Sequence, residues 1–307
     1  MYGSSAMIKR KVSNPLHHPL AEIFGFPADN MSSNAHRYRK NKLCPFNNKV
    51  PNCTKDKANS PLGVCSIYDE KEVVITCPVR FRQEWIIAED AASFFFPKGA
   101  TWTSLTEVRL KDKQGESAGN IDVVLVSYDG GGKITSFGAL EVQAVYISGN
   151  VRSPFEHYIK NPSQRMRMDW RHKPNYPRPD YLSSSRKRLA PQLIYKGGIL
   201  NSWRRKTAVA LNRGFFNTLP KFTQVPVADA EIAWMVYDLR HDKHQNRYVL
   251  DRYKTVYTKF DKSLKQLTQS EAGREGDFLE HLQEKLDEKL ESVNPPDAPT
   301  LDAILLS

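Results

Sequence analysis

Residues 119–147 read GNIDVVLVSYDGGGKITSFGALEVQAVYI, two apolar runs separated by Asp129-Gly130-Gly131-Gly132. β-Branched and aromatic residues fill both runs, and an Asp followed by glycines is a turn signal, so the segment predicts a β-hairpin. Strands are expected over 121–128 and 134–147. Each carries a polar group that an apolar strand has no use for. Asp122 follows Gly-Asn-Ile on the first, and Glu141 and Gln143 stand one residue apart on the second. Residues two apart on a strand point to the same side, so Glu141 and Gln143 share a face, and Asp122 meets them if the register permits.

A carboxylate in the middle of ALEVQAVYI is expensive unless it is paired or bound to a cation. Phosphodiester hydrolysis has a use for such a cluster. A divalent cation neutralises charge on the non-bridging oxygens and generates a hydroxide in line with the leaving oxygen. Mg²⁺ prefers hard oxygen ligands, keeps several waters and takes only one or two carboxylates. Asp122 and Glu141 would be those ligands, with Gln143 orienting the attacking water or touching the scissile phosphate. Glu107, in the alternating stretch LTEVRL at 105–110, is a further carboxylate on a preceding strand. Pattern alone leaves a second reading open, in which these are structural charges.

Outward from the hairpin, VRFRQEWIIAEDAASFF at 79–95 predicts a helix with Trp85, Ile86, Ala88 and Phe95 on its buried face. Ser153-Pro154-Phe155-Glu156 has the form of a capping box, so a helix is expected from Pro154 toward Lys160, stopped by Asn161-Pro162. Residues 230–239 and 247–258 read as two strands joined by a polar turn. Leu279, Leu282, Leu286 and Leu290 line one face of an amphipathic helix over 277–291, expected to pack on the surface or in a dimer. The fold class is therefore α/β, a mixed sheet flanked by helices. Residues 1–80 are expected to form an N-terminal arm and cysteine lobe, irregular through residue 35, and residues 81–307 the core with its C-terminal helix.

The chain has 307 residues, 40% of them apolar, enough for a sizeable core. No apolar run approaches the roughly 18 residues of a membrane span, and no apolar block follows the basic residues at the start, so the protein is expected to stay in the cytoplasm where it is made. Forty-five Lys and Arg against 34 Asp and Glu give a formal charge of +11. The basic residues gather in HRYRKNK, RMRMDWRHK, SRKRL and SWRRK, while acids collect after residue 270. That segregation favours a polyanionic partner.

A carboxylate strand, a turn and then E-x-K resembles the PD-(D/E)XK nuclease core. Here Gln143 stands in the lysine position. The variant E-V-Q-A, with HPLAEIFGFP at 18–27, the four-cysteine region and GNIDVV, is similar to the NotI restriction endonuclease family from His18 to about Tyr257. The resemblance implies active-site acids at Glu107, Asp122 and Glu141 with Gln143 as the amide. It implies a bacterial type II enzyme that cuts double-stranded DNA with Mg²⁺ at a GC-rich palindrome containing GGCC, leaving 5′-phosphate ends. With one hairpin per subunit, cutting both strands calls for a symmetric homodimer. The alternatives are a non-enzymatic, metal-stabilised DNA-binding regulator and a repair-type nuclease.

Cys44, Cys53, Cys65 and Cys77 are the only cysteines and lie in a polar, Pro-rich stretch that local apolar periodicity does not explain. Disulfides would need an oxidising compartment, and four unrelated buried thiols are a further reading, against which their clustering in so short a stretch argues. One tetrahedral metal held by four thiolates accounts for both features, and the donor chemistry allows zinc or iron. The resemblance implies iron. His17, His18 and His36 are spare ligands that such a site does not require. Arg37 and Arg39 before the segment, with Asn34 and His36, and Arg80, Arg82 and Gln83 after it, are candidate DNA contacts, to base or to phosphate.

Overall fold

The computed structural model describes residues 18–57, 60–70, 72–270 and 272–291; His17 and the earlier part of the expected lead-in lie outside them. The hairpin forms as read. Its strands are Ser117–Tyr128 and Ile134–Gln143, antiparallel with Val123 opposite Leu140. At the turn, Asp129 Oδ1 accepts hydrogen bonds from the amides of Gly131 and Lys133, each at 2.9 Å. Trp102–Lys111 adds an antiparallel strand on the outer side.

The inner side of Ile134–Gln143 pairs in parallel with Thr207–Asn212, which pairs in parallel with Ile232–Asp242; Arg247–Thr258 closes the six-stranded mixed sheet as an antiparallel edge. Thr207–Asn212 (TAVALN) is buried along its whole length, as expected of a parallel strand covered on both faces. The late strand pair therefore lies where the sequence places it. The expected strand 134–147 stops at Gln143, and Tyr146–Ser148 pairs instead with Arg178–Asp180.

Helix Ile86–Phe95 covers one face of the sheet, packing Ile87, Ala91 and Phe94 against Leu140, Val142 and Ala210. A Cβ on Gly138 would lie 2.5 Å from the Phe95 ring, so this glycine sets how closely helix and strand approach. Of the face predicted through Trp85, Ile86, Ala88 and Phe95, Ala88 is buried and the other three pack partly buried at the edge of the same core, whose fully buried residues are Ile87, Ala91 and Phe94. Residues Pro78–Trp85 form a 3₁₀ turn, and Glu84 and Trp85 at φ of 53° and 55° break it from the α-helix, so one period does not run through both.

The other face packs Val209, Leu211 and Trp234 against Phe155, Leu189, Leu193 and Phe260, and the same core takes in Leu20, Ile23, Val64, Ile67 and Val74. These last five belong to a four-stranded sheet, ordered Phe26–Pro27, Leu20–Ile23, Val64–Asp69, Glu72–Ile75. The expectation of irregular chain through residue 35 is corrected: Leu20–Ile23 is a fully buried strand, and helix Ser33–Lys40 follows. The cysteine stretch buries apolar residues against partners more than 40 positions away, which local periodicity cannot reveal. Helix Arg152–Lys160 starts earlier than read, because Asn150 Oδ1, and not the Ser153 hydroxyl, takes the amide of Ser153. It does end before Asn161-Pro162.

The chain divides into two compact units, Met1–Thr268 and Gln269–Ser307. The second contains helix Glu275–Glu291, along which Leu279, Leu282, Leu286 and Leu290 are exposed. Among the described residues no helix is long and apolar enough to cross a membrane.

A fully buried ion pair locks the small sheet to the large one. Arg80 Nε donates to both carboxylate oxygens of Glu22 at 3.0 Å, its other nitrogens reach Gln83 Oε1 at 2.8 Å and the Tyr248 carbonyl at 2.9 Å, and Ser66 donates to Glu22 at 2.9 Å. Removing one partner strands the other charge without water. Arg80→Met is expected to cost about 3–5 kcal/mol in urea unfolding, and Glu22→Gln/Arg80→Met to cost less than the sum of the two single changes.

Candidate active site

Strand register brings the three expected acids into one row. Thr106 lies opposite Val123 and Val108 opposite Ile121, so Glu107 comes abreast of Asp122. One step past the pair Val123–Leu140, Asp122 comes abreast of Glu141. Here a side chain takes over from the backbone ladder. Asp122 Oδ2 accepts the amide of Val142 at 2.8 Å, which fixes its carboxylate between the two strands.

Glu141 and Gln143 share a face, as alternation requires, and both are buried. That face looks toward the helical stretch Tyr181–Ser202, whose α-turns are interrupted by π-turns at Ser185–Leu189 and Leu193–Gly197. Lys196 donates from Nζ to Glu141 Oε2 at 2.7 Å and to the Asn120 carbonyl at 2.8 Å. Gln192, four residues earlier on the same stretch, accepts from Gln143 Nε2. Glu141 Oε1 and Gln143 Oε1 are left buried with no hydrogen-bond partner. Burial first, and then the neighbouring Asp122 charge, push the Glu141 carboxyl up to about 7; Lys196 offsets this only in part.

Glu107 stands in the same row but does not converge. Its φ of 58° is left-handed, an unusual conformation for a non-glycine residue in a strand, and its exposed carboxylate lies 3.7 Å from Lys49. Beside the row is a cavity of about 380 Å³, lined among others by Glu107, Asp122, Cys77, Arg82 and Arg188.

Among the described residues no three His, Cys, Asp or Glu side chains gather as a metal-ligand group. A Mg²⁺ ion needs no such triad: one or two carboxylates with water suffice. The Asp122 carboxylate with the unpartnered Glu141 Oε1 and Gln143 Oε1 is a hard-oxygen donor set of the kind that ion takes.

The four cysteines sit on two backbone pairings and form no metal-ligand group among the described residues. The amide of Cys44 donates to the Pro51 carbonyl and that of Cys53 to the Lys42 carbonyl, pairing their two segments; Thr76 donates to the Cys65 carbonyl, which brings Cys77 beside Cys65. All four are free thiols. Burial raises the Cys44 thiol to about 11, and Cys65 is raised further by burial and by Glu22 and the other three cysteines. His18 is buried and accepts the Leu20 amide at 3.1 Å, and His36 is exposed on helix Ser33–Lys40.

Of the residues expected to meet DNA, Arg80 is enclosed with Glu22, and Gln83 is occupied by Arg80 and by the Leu250 amide. Arg39 is buried and donates to the carbonyls of Asn30 and Pro27, both at 2.7 Å. These three brace the fold. Asn34 and Arg37 are exposed, and Arg82 faces the cavity. Arg188 belongs to the basic run SRKRL, but nothing local in LIYKGG marks Lys196, nor in APQ marks Gln192.

A family model described as restriction endonuclease NotI matches residues 29–250, which include every residue of this site and all four cysteines. No curated protein matches the chain.

The raised Glu141 carboxyl fixes the sign of a pH effect. The folded protein binds this proton more tightly than the unfolded chain, so the group's contribution to metal-free stability is whole below about pH 4.5 and is lost as pH rises through about 7. Unfolding midpoints measured in chelator across that window should fall in the wild type and fall less in Glu141→Gln. Identical slopes would place the effect on another group.

Proposed function

The chain belongs to the NotI restriction endonuclease family, site-specific deoxyribonucleases, and from that premise we propose that it hydrolyses both strands of duplex DNA with Mg²⁺ held at Asp122 and Glu141. One observation carries the reading: two acceptor oxygens, on Glu141 and Gln143, are buried unpartnered beside the Asp122 carboxylate. A non-enzymatic regulator gains nothing from that arrangement, since each such atom costs stability unless something enters to satisfy it.

Bound Mg²⁺ would supply charge neutralisation at the phosphate and a hydroxide nucleophile. The protein's own part is positional. The Val142 amide holds Asp122 in place, and the burial of Glu141 keeps bulk water from its carboxylate. Gln143, tethered through Nε2 to Gln192, turns its free oxygen toward the attacking water or the scissile phosphate. Arg82 and Arg188 in the adjoining cavity offer charge to flanking phosphates, and the net charge of +11 favours DNA at long range. Glu107 joins the ligand set if DNA turns it inward from Lys49.

The family resemblance extends the proposal to a GC-rich palindrome containing GGCC, 5′-phosphate ends, a homodimer matching the two-fold of the target, and a bacterial cytoplasm. It also assigns iron, with zinc as the substitute, to Cys44, Cys53, Cys65 and Cys77. Their common segment of polar, Pro-rich chain motivates that assignment, and a closed set of four thiolates would be structural.

Purified protein with Mg²⁺ should cut an undamaged plasmid into discrete fragments, and sequencing their ends gives target and cut position together. Asp122→Asn should reduce cleavage below detection while its affinity for DNA in Ca²⁺ stays near that of the wild type. Binding without nicking under any divalent cation would leave the regulator as the answer. For the cysteines, Cys53→Ser should lower both iron or zinc content and melting temperature; an unchanged metal content rejects ligation there.

A further inference from the structure

Gln143 leaves the site without a cation on the glutamate strand, yet a cation is present. We infer that Lys196, delivered from the facing helical stretch, supplies the positive charge that residue 143 lacks and contacts the scissile phosphate during cleavage. The inference rests on the nuclease reading above.

Placement comes first. Lys196 is buried, at 4% exposure, and its Nζ lies 2.7 Å from Glu141 Oε2 and 2.8 Å from the Asn120 carbonyl, two residues before Asp122. An ammonium has three N–H groups, and two are spent on these acceptors. The third remains to be given. Glu141 meanwhile keeps Oε1 unpartnered, so lysine and a divalent ion can occupy opposite oxygens of one carboxylate without displacing each other.

The backbone that carries the lysine is itself unusual. Leu193–Gly197 is a π-turn inside a helical stretch, a feature common at functional sites. It ends on Gly197, where a Cβ would lie 2.7 Å from the Phe260 ring, so the helix seats closely there. Gln192 and Lys196 address Gln143 and Glu141 as amide to amide and ammonium to carboxylate. One stretch therefore answers both polar residues of the glutamate strand.

Compensating the Glu141 carboxylate is one purpose of Lys196, but it does not by itself call for a charged pair at this position. Desolvating two charges costs about as much as their attraction returns, and a well-packed apolar pair in their place is often no less stable. A fixed ammonium next to the place where negative charge develops stabilises a transition state in a way an apolar residue cannot.

The test compares wild type, Asp122→Asn, Lys196→Gln and Gln143→Lys/Lys196→Gln, which moves the charge back to the strand. Three quantities are read: Mg²⁺-dependent plasmid cleavage, Ca²⁺ binding to the protein–DNA complex by calorimetry, and melting temperature. Lys196→Gln should cleave about 100-fold more slowly or worse, bind Ca²⁺ as tightly as or more tightly than wild type, and the double variant should recover at least about tenfold of the rate. A folded Lys196→Gln that cleaves within a few-fold of wild type overturns the assignment. So does a loss of Ca²⁺ affinity parallel to the loss of rate, which would mean the lysine only holds Glu141. If Lys196→Gln does not fold, the double variant decides, and a folded but inactive double variant rejects the assignment. Failure of the nuclease reading looks different: wild type and Asp122→Asn would then be equally inert.

Discussion

A charged carboxylate in the middle of a covered β-sheet is the constraint around which this molecule is arranged. Glu141 sits between Leu140 and Val142 on a strand flanked on both sides by the ladder, with Val209 as its parallel neighbour. Water cannot reach it to offset the cost. The surroundings answer in three ways: Lys196 takes one oxygen, the carboxyl's proton affinity rises, and the other oxygen stays open. Two of these are internal compensation. The third is the opening on which the proposal of a bound cation rests.

Strand alternation lets the same ten residues build both core and site. Leu140 and Val142 point to helix Ile86–Phe95 and complete the apolar layer there. Glu141 and Gln143 point the opposite way, toward Gln192 and Lys196. The long excursion between Gln143 and Thr207 follows from the parallel pairing, since a parallel neighbour requires a crossover and the crossover lays helix over that face. The connection that permits the fold thus carries the groups that serve the acids. The small sheet, pinned through Glu22 and Arg80, brings Cys77 and Arg82 to the same cavity from the other side.

What could be read in advance follows the range of the interaction. The hairpin, its Asp-Gly turn, the shared face of Glu141 and Gln143 and the late strand pair are set by alternation and turn chemistry within a few residues, and all are present. Lys196 and Gln192 lie 55 and 49 positions from their partners, and a lone lysine in LIYKGG carries no pattern of its own. Arg80 shows the converse. Its place just after the cysteine segment suggests DNA, whereas its partner is Glu22, 58 positions earlier in the chain, and the pair is fully enclosed. Charge in a sequence indicates that a partner exists, not whether the partner is a phosphate or an internal carboxylate.

Desolvation links the two sites proposed for metals although their donor chemistries are opposite. Burial raises the proton affinity of the Glu141 carboxyl, and it raises that of Cys44 and Cys65 for the same reason. A raised proton affinity lessens the charge that the fold has to enclose when no ion is bound. An incoming cation has to displace those protons, and its binding is therefore coupled to pH. The hard oxygens suit a weakly held Mg²⁺ that can exchange ligands with a phosphate. Thiolates suit a soft ion that stays. On the proposed reading, a single device, the burial of ionisable groups, would serve an exchanging site at the sheet and a permanent one in the cysteine segment.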